Sequence, residues 1–410
     1  MKKIILLLCC FTLISACSDN KRYAPKEGRL SVFDAAPIQQ ATGWAVLNKA
    51  TPVESWQQPY QNQQNKVPHI AVTDPQKELW SAYVSKNQKL QDRDLPTPVL
   101  LSDAIYVLDS AYTLSKLDIA NGQHIWQLDL APNKQGLSLT YANKTLFALS
   151  TDGLITAIDE DGQQLWQKDF KVATRAPLIS DKSALYLVTA QNQLKVLNTK
   201  TGKEMWQYQT EKPQTLLTSM APPAKSGNVL VVPFATGEAM AFDVDSGLLL
   251  WIQMMIGERP KDLITVPQIV SAPVIDEGIV YLSGNANLTG AYNLKTGQPI
   301  WTLAIGSTIT PVINGNTLFM LSNDNQLMAL DKKTGKIFWQ KEMAFTKGKL
   351  WQHLLLLNND LILTNEKHWI ILNTQTGDVK QTLEKNTATL PVSMNNHLLL
   401  INNKAKAIYY

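Results

Sequence analysis

The chain has 410 residues, of which 45% are hydrophobic and 18% charged, and its formal net charge is +4. No block of lysine and arginine of the nucleic-acid-binding type appears, so we expect no nucleic-acid partner. The three cysteines all lie within the first 17 residues. The rest of the chain therefore cannot form a disulfide, a CxxCH haem site or a thiolate metal site.

Residues 1–16 have the layout of a secretory signal peptide. Two lysines precede an apolar run over residues 4–14, which is too short for a membrane-spanning helix of roughly 20 residues. The sequence Leu-Ile-Ser-Ala-Cys that ends at Cys17 resembles the lipobox of bacterial lipoproteins, which implies cleavage before Cys17 and its lipidation. The alternative is ordinary signal cleavage nearby, with Cys17 incidental. Ser18 in place of an aspartate favours the outer membrane, so we expect a lipid anchor there and a chain that faces the periplasm.

Residues 17–68 are expected to be a lipidated tether followed by an irregular lead-in. The segment is rich in glutamine and asparagine and shows little sustained periodicity. Three apolar residues, Trp44, Val53 and Trp56, are the candidates for docking this lead-in on the domain that follows.

Residues 69–410 repeat a unit of about 40 residues. Each unit contains short apolar strands and an Asp/Asn-x-x-Thr/Ser-Gly turn or a close variant of it, usually followed four residues later by tryptophan. The motif tryptophans are Trp126, Trp166, Trp206, Trp251, Trp301 and Trp339, and a seventh unit has Gln381 instead. The Asx side chain caps such a turn and glycine supplies its positive φ. Four short strands per repeat are typical of a β-propeller.

The repeats predict an all-β, eight-bladed propeller with four-stranded antiparallel blades. Seven turn units are visible, while Trp80 looks like an outer strand without the rest of its blade. The last residues of the chain supply three strands without a fourth. Pairing N-terminal and C-terminal strands would complete the eighth blade and remove open sheet edges; seven blades is the alternative.

The repeated turn and tryptophan resemble the repeats of the pyrroloquinoline-quinone propeller superfamily. This resemblance implies that each tryptophan packs between neighbouring blades, whereas a ligand platform would need the tryptophans clustered at one place. A buried tryptophan covers about 150–250 Å², so a structural girdle is the favoured interpretation.

Sharing this repeat does not imply quinoenzyme chemistry. The superfamily's dehydrogenases use calcium, a catalytic aspartate and usually a vicinal disulfide, and cysteine is absent after residue 17. No dense acidic cluster suggests calcium, and no histidine pair has metal-ligand spacing. We therefore expect no enzyme activity, no catalytic or metal residues, no cofactor and no small-molecule substrate.

The combination of lipobox, degenerate eight-fold repeat and length resembles the BamB family, lipoproteins of the outer-membrane β-barrel assembly (BAM) machinery. The resemblance implies a non-enzymatic periplasmic scaffold that binds the BamA-type subunit and assists folding and insertion of outer-membrane proteins. The alternative is an envelope lipoprotein propeller that binds a cell-wall glycan or another envelope protein.

Two stretched gaps between repeats indicate where a partner would bind. The gaps from Trp206 to Pro223 and from Trp251 to Pro273 are longer than those from Trp166 to Pro177 and from Trp301 to Pro311, and they lie on one face of adjacent blades. The predicted contact residues are Leu216, Leu217, Met220, Glu258, Arg259, Lys261, Asp262, Leu263 and Ile264. BamB proteins commonly have Leu-x-Leu-Arg in the first gap and acids in the second. Here Thr218 and Gln268 stand near those positions.

Overall fold

The propeller is seen in a computed structural model that describes residues 39–85, 95–215, 217, 219–257, 266–343, 351–402 and 404–410. These residues form eight four-stranded antiparallel sheets. Seven of the sheets are built from four consecutive strands each, which is the arrangement of propeller blades. The predicted all-β fold with eight blades is therefore confirmed, and the seven-blade alternative is wrong.

The first four complete blades follow a short opening strand. That strand is β1 (Trp80–Tyr83). Blade 1 contains β2 (Val99–Leu100), β3 (Ala104–Leu108), β4 (Thr113–Asp118) and β5 (His124–Asp129). Blade 2 contains β6 (Gly136–Ala142), β7 (Thr145–Ser150), β8 (Leu154–Asp159) and β9 (Gln164–Asp169). Blade 3 contains β10 (Ile179–Ser180), β11 (Ala184–Val188), β12 (Gln193–Asn198) and β13 (Glu204–Gln209). Blade 4 contains β14 (Ala224–Ser226), β15 (Val229–Pro233), β16 (Glu238–Asp243) and β17 (Leu249–Met254).

The remaining strands complete the ring. Blade 5 contains β18 (Val274–Asp276), β19 (Ile279–Gly284), β20 (Leu288–Asn293) and β21 (Pro299–Leu303). Blade 6 contains β22 (Val312–Asn314), β23 (Thr317–Leu321), β24 (Gln326–Asp331) and β25 (Ile337–Glu342). Blade 7 contains β26 (His353–Leu357), β27 (Asp360–Thr364), β28 (His368–Asn373) and β29 (Val379–Glu384). Blade 8 contains β30 (Val392–Met394), β31 (His397–Ile401) and β32 (Lys406–Tyr409), with β1 as its outermost strand.

Blade 8 combines the first strand and the last three strands that the structure describes, as predicted. β1 pairs antiparallel with β32, so that Trp80 lies opposite Tyr409. The two rings stack with their centroids 5.2 Å apart. The closure joins the sheet edges that these two strands would otherwise expose.

The motif tryptophans form joints between successive blades. In blade 4, Trp251 lies opposite the small Ala241, and a register shift beside it leaves Leu250 as an extra residue, a bulge that turns the strand. The indole Nε1–H of Trp251 donates to the Leu294 carbonyl in the turn of blade 5 at 2.8 Å. Five other tryptophans donate to the equivalent carbonyl of the next blade, namely Trp80, Trp166, Trp206, Trp301 and Trp339. The girdle interpretation of the repeat is therefore confirmed.

Trp126 is the exception, and its turn explains why. Its indole nitrogen is buried and has no hydrogen-bond partner. The turn that it faces, in blade 2, places Gly162 three residues after Asp159, whereas the other turns place glycine four residues after the Asx residue. The turn is one residue shorter, and its equivalent carbonyl, that of Glu160, accepts a hydrogen bond from Lys116 Nζ at 3.0 Å instead.

The lead-in is not a simple tether, because part of it fills the centre of the ring. We call residues 53–70 the plug. The plug hydrogen-bonds with residues of seven blades and with the link that enters blade 6. Its partners, in chain order, are Leu100, Tyr141, Ser180, Lys225, Ile275, Thr310, Leu356 and Asn395. It therefore ties together blades that are otherwise joined only to their neighbours.

Buried amide side chains make many of the plug's contacts. Asn65 is fully buried, and its Nδ2 donates to the carbonyls of Pro223 at 2.9 Å and Pro273 at 3.1 Å. Gln58 donates to the Ser180 carbonyl at 3.1 Å and accepts from the Ser180 N–H at 3.1 Å. Because a buried amide without partners is costly, these polar residues specify the position of the plug.

The three predicted docking residues behave differently from one another. Trp56 is fully buried and Val53 is nearly so, and both belong to the largest of the hydrophobic core clusters. Trp44, in contrast, is 78% exposed. The docking prediction is thus right for Trp56 and Val53 and wrong for Trp44, since the lead-in bonds to the turns of blade 6 there through its backbone.

The pH dependence of stability is expected to include a contribution from His353. This residue begins β26 and lines the centre of the ring beside Tyr60 and Thr310. Burial lowers the pKa of His353 to about 4, whereas an unfolded histidine titrates near 6.5. The unfolded chain binds this proton first, so stability falls as the pH drops from about 6.5 to about 4.

We expect the His353→Gln variant to lose about 2–3 kcal/mol less free energy of unfolding than wild type between pH 7 and pH 4. Urea unfolding of both proteins at the two pH values measures the difference. Equal losses of stability in the two proteins would contradict the expectation.

Candidate partner-binding face

The connections that join successive blades all emerge on one face of the ring. In an antiparallel four-stranded blade, the link from the outermost strand to the next innermost strand leaves from the same side as the turn between the two middle strands. We call this side the link face. The Asx-Gly turns and the turns between the first two strands lie on the opposite side.

Blade 4 is flanked by two long links. One link, 210–223, joins β13 to β14, and the other, 255–273, joins β17 to β18. The links on the outer sides of this pair, 170–178 and 304–311, are shorter. The predicted stretching of the repeat therefore falls on one face, on both sides of one blade.

Gln268 fastens the two long links together. Its side chain is fully buried, although it comes from the second link. The Oε1 atom accepts the Leu217 N–H at 2.7 Å, and Nε2 donates to the Ser219 carbonyl. One amide thus satisfies a donor and an acceptor of the first link, as a neighbouring β-strand would.

Arg175 holds the first link from the other side. It lies in the link between blades 2 and 3, and its guanidinium donates to the Leu217 carbonyl at 2.7 Å. The Arg175 carbonyl in turn accepts the Met220 N–H at 3.2 Å. Three consecutive links are therefore joined by hydrogen bonds at Leu217, Ser219 and Met220.

Asparagines in the adjoining turns fix the beginnings and ends of the links. Asn192 donates to the Glu211 carbonyl at 2.9 Å and accepts the Ala235 N–H at 2.9 Å, so it joins blade 3 to blade 4. Asn285 donates to the Val266 carbonyl at 3.1 Å near the end of the second link. The flanks of both long links are therefore held by side chains as well as by covalent connection.

The structure describes two of the nine predicted contact residues. Leu217 is half-buried at the point where Gln268 and Arg175 bind its backbone, and Thr215 and Ser219 beside it are exposed. The other seven lie outside the described residues, as does the predicted lipidation site: Leu216, Glu258, Arg259, Lys261, Asp262, Leu263, Ile264 and Cys17.

Met220 is placed in the core and not at the surface. It is 2% exposed and packs in the cluster that joins blades 3 and 4, which includes Val232 and Phe234. The apolar side chain of Met220, which suggested a partner contact, instead packs the end of the link against the blades. We therefore do not retain Met220 among the contact residues.

Two residues that organise the face were not predicted as part of the site. In the sequence, Gln268 was notable only because BamB proteins commonly have acidic residues near its position. Arg175 belongs to a link of ordinary length and was not notable at all. Their hydrogen-bond partners are 51 and 42 residues away in the chain, respectively. No local pattern indicates such contacts.

The opposite side of the ring carries a cleft of about 640 Å³ between the lead-in and blade 7. Its lining includes Lys49 and His69 but no carboxylate. The two ring nitrogens of His69 contact the carbonyls of Asn48 and Asn358.

The described residues hold neither a candidate metal centre nor a membrane-spanning helix. They contain no group of three or more His, Cys, Asp or Glu residues placed to hold a metal ion. A helix long and apolar enough to cross a membrane is also absent from the part of the chain that the structure describes.

Fold and repeat together define a propeller of the pyrroloquinoline-quinone repeat class, with a braced loop face on one side. The family model for "Outer membrane protein assembly factor BamB" matches residues 110–341, which is more than half of the chain. The chain therefore belongs to the BamB family.

Relatives and solved structures agree with this assignment. The chain is 26% identical over 216 residues to the BamB of Nitrosomonas eutropha, covering 52% of each chain. It is 27% identical over 226 residues to that of Yersinia pestis, covering 51% of this chain and 56% of the relative. The matched region thus spans about half the length of these relatives.

Structural similarity extends across the superfamily. The crystal structure of BamB from Moraxella catarrhalis aligns with a TM-score of 0.67 and 18% identity, over 81% of this chain and 98% of that one. A europium-containing methanol dehydrogenase aligns with a TM-score of 0.69 and 12% identity, over 85% and 89%. At these identities the likeness shows the fold alone, and enzymes and assembly factors share it.

Proposed function

We propose that this chain is a non-enzymatic scaffold lipoprotein of the BAM complex. In this role it is held at the periplasmic side of the outer membrane by lipid on Cys17. It binds the BamA-type subunit through the link face around blade 4, and it assists the folding and insertion of outer-membrane proteins. Family membership supports the complex, and the lipobox supports the anchor.

The main support for the partner contact is the set of hydrogen bonds by which Gln268 and Arg175 hold the first long link; we call these bonds the brace. Ordering a loop on binding costs free energy, so loops that bind partners well are held ready beforehand. Here the first long link is bonded to the second link and to the preceding link through Leu217.

The plug supports a scaffold in preference to an enzyme. The blades of a propeller surround a central channel. In this chain the channel contains Trp56, Asn65 and other buried side chains of residues 53–70. These groups are committed to contacts with the blades, which leaves the outer surfaces for recognition.

Leu217→Asp combined with Leu263→Asp is expected to abolish co-purification with a BamA-type protein while the propeller stays folded. A carboxylate placed in an apolar contact costs several kcal/mol, and each 1.4 kcal/mol reduces binding about tenfold. Affinity purification of the tagged, lipidated chain from detergent-solubilised envelopes, followed by mass spectrometry, measures the recovery of the partner.

Ile125→Asp combined with Leu165→Asp is the matched control. It makes the same chemical change at two exposed residues on the outer strands of blades 1 and 2. This control should retain the BamA-type partner. Equal recovery from the Leu217/Leu263 variant would remove the link face from the proposal, and absence of any BamA-type protein from the wild-type eluate would refute the function itself.

A further inference from the structure

The outer strand of blade 4 differs from the outer strands of the other blades. Residues 248–254 contain five exposed large hydrophobic side chains: Leu248, Leu249, Leu250, Ile252 and Met254. Leu248 alone is 66% exposed. We call this stretch the blade 4 rim. Exposed apolar side chains that are contiguous in this way commonly mark an interaction site.

The other repeats show that the ring does not need these residues. The position of Leu248 is polar in every other motif repeat, and so is that of Ile252. The residues equivalent to Leu248 are Gln123, Gln163, Lys203, Gln298, Lys336 and Asp378. Those equivalent to Ile252 are Gln127, Gln167, Gln207, Thr302, Gln340 and Thr382. The apolar rim is therefore a feature of blade 4 and not a requirement of the repeat.

The rim is also an unprotected sheet edge. β17 pairs with β16 on its inner side and is the last strand of its sheet. Natural edge strands are usually protected by charges or proline. β17 has neither. The other outer strands without a charge are β21, which begins with Pro299, and β1, which has only four residues.

The side chains of the rim alternate in direction. Trp251 and Gln253 reach blade 5, where they donate to the carbonyls of Leu294 and Gly297, each at 2.8 Å. Ile252 and Met254 alternate with them and so point away from blade 5. An extended segment added beside β17 would find backbone groups along its length and apolar side chains at alternate positions.

Position in the ring indicates what occupies this edge. β17 runs directly into link 255–273, so the rim continues the face that the two long links form. A strip of six or seven residues is smaller than the about 800 Å² per partner that a stable interface buries. The occupant must therefore be held at a second place as well, and the adjoining links supply one.

We propose that the blade 4 rim is a docking edge for an extended strand, apolar at alternate positions, of the same protein partner that the link face binds. The proposal rests on the proposed function. Binding combines main-chain hydrogen bonds to the free side of β17 with burial of Leu248, Ile252 and Met254.

The test replaces three side chains of the blade 4 rim with the residues at the equivalent positions of blade 2. The triple variant Leu248→Gln, Ile252→Gln, Met254→Asp introduces the residues that blade 2 has at Gln163, Gln167 and Asp169. Binding of the soluble periplasmic part of the BamA-type protein is measured by calorimetry. We expect the Kd of the triple variant to rise by at least about tenfold, since loss of an anchoring side chain typically weakens a complex to this degree.

A matched control makes three apolar-to-polar changes on other rims: Ile125→Gln, Leu165→Gln and Met205→Gln. It should bind like wild type. Hydrogen exchange gives a second readout, because amides of residues 248–254 should gain protection only in the complex.

The outcomes separate the two proposals. The function stands if the wild-type protein binds the partner and the Leu217/Leu263 variant does not. The rim proposal is nevertheless refuted if the rim variant then binds like wild type and residues 248–254 gain no protection from hydrogen exchange. Self-association of the wild type that the rim variant abolishes, without any change in partner binding, would also refute it in favour of a second copy. If wild type does not bind, both proposals fail.

Discussion

Replacing Trp56 with alanine is expected to lower the free energy of unfolding by about 3–5 kcal/mol, the usual cost of removing a buried tryptophan. Trp56 is fully buried in the plug, and its backbone N–H and carbonyl exchange hydrogen bonds with Leu100 of blade 1, both at 2.9 Å. The side chain packs in a cluster that contains residues from blades 1, 7 and 8. Its loss therefore weakens the centre of the ring at the closing blade.

Trp44→Ala is the control for that experiment. Trp44 lies in the same irregular lead-in but is exposed, so its replacement should change stability by no more than about 0.5 kcal/mol. Urea denaturation of both variants, monitored by circular dichroism, measures the contrast. Similar small effects for the two residues would mean that the plug is not part of the cooperative fold.

Gly297→Ala is expected to destabilise the joint between blades 4 and 5 by about 2–4 kcal/mol. Gly297 has a φ of 71°, and a β-carbon at this position would lie 2.6 Å from Cγ of Trp251. The left-handed backbone costs an alanine about 1 kcal/mol. The overlap must also displace the indole, which adds about 1–3 kcal/mol and weakens its hydrogen bond to the Leu294 carbonyl.

Gly278→Ala separates the two causes, because it has the backbone strain without the overlap. Gly278 also lies in blade 5 and has a φ of 77°, but a β-carbon there would meet nothing within 4 Å. Its replacement should cost only about 1 kcal/mol. If chemical denaturation gives the same loss for both glycines, backbone conformation and not packing explains the conserved spacing of glycine and tryptophan within the repeat.

The repeated turn made the fold predictable. Each Asx-x-x-Thr/Ser-Gly turn combines side-chain capping with a glycine of positive φ, and each motif tryptophan follows at a fixed distance. Because these are local features, Asp331, Gly335 and Trp339 indicate the same joint as Asn198, Gly202 and Trp206. Repetition along the chain then gave the number of blades and their closure.

The plug was not predictable from the same kind of pattern. Gln58 and Asn65 look like linker residues, since amides without periodicity are typical of loops. Their partners Ser180 and Pro223 lie 122 and 158 residues away, respectively. Buried amides are recognised by their hydrogen bonds and not by their neighbours in the sequence, so only the folded ring reveals that this segment is interior.

The candidate site was likewise predictable only in part. The lengths of the gaps indicated which links differ, and composition suggested that their apolar residues face outward. The structure instead placed Met220 in the core, because an apolar side chain at the base of a link is free to pack on the blades beneath it. It also placed Gln268 between the links and left the rim beside Ile252 exposed.

Local turn chemistry and periodicity specify the blade, the number of blades and the position of the stretched links, so these features can be predicted from the amino-acid sequence. What fills the channel, how the links are joined and which edge of the ring remains apolar become visible only in the folded ring. Those properties depend on contacts between residues far apart in the chain, and closure of the ring is what brings them together.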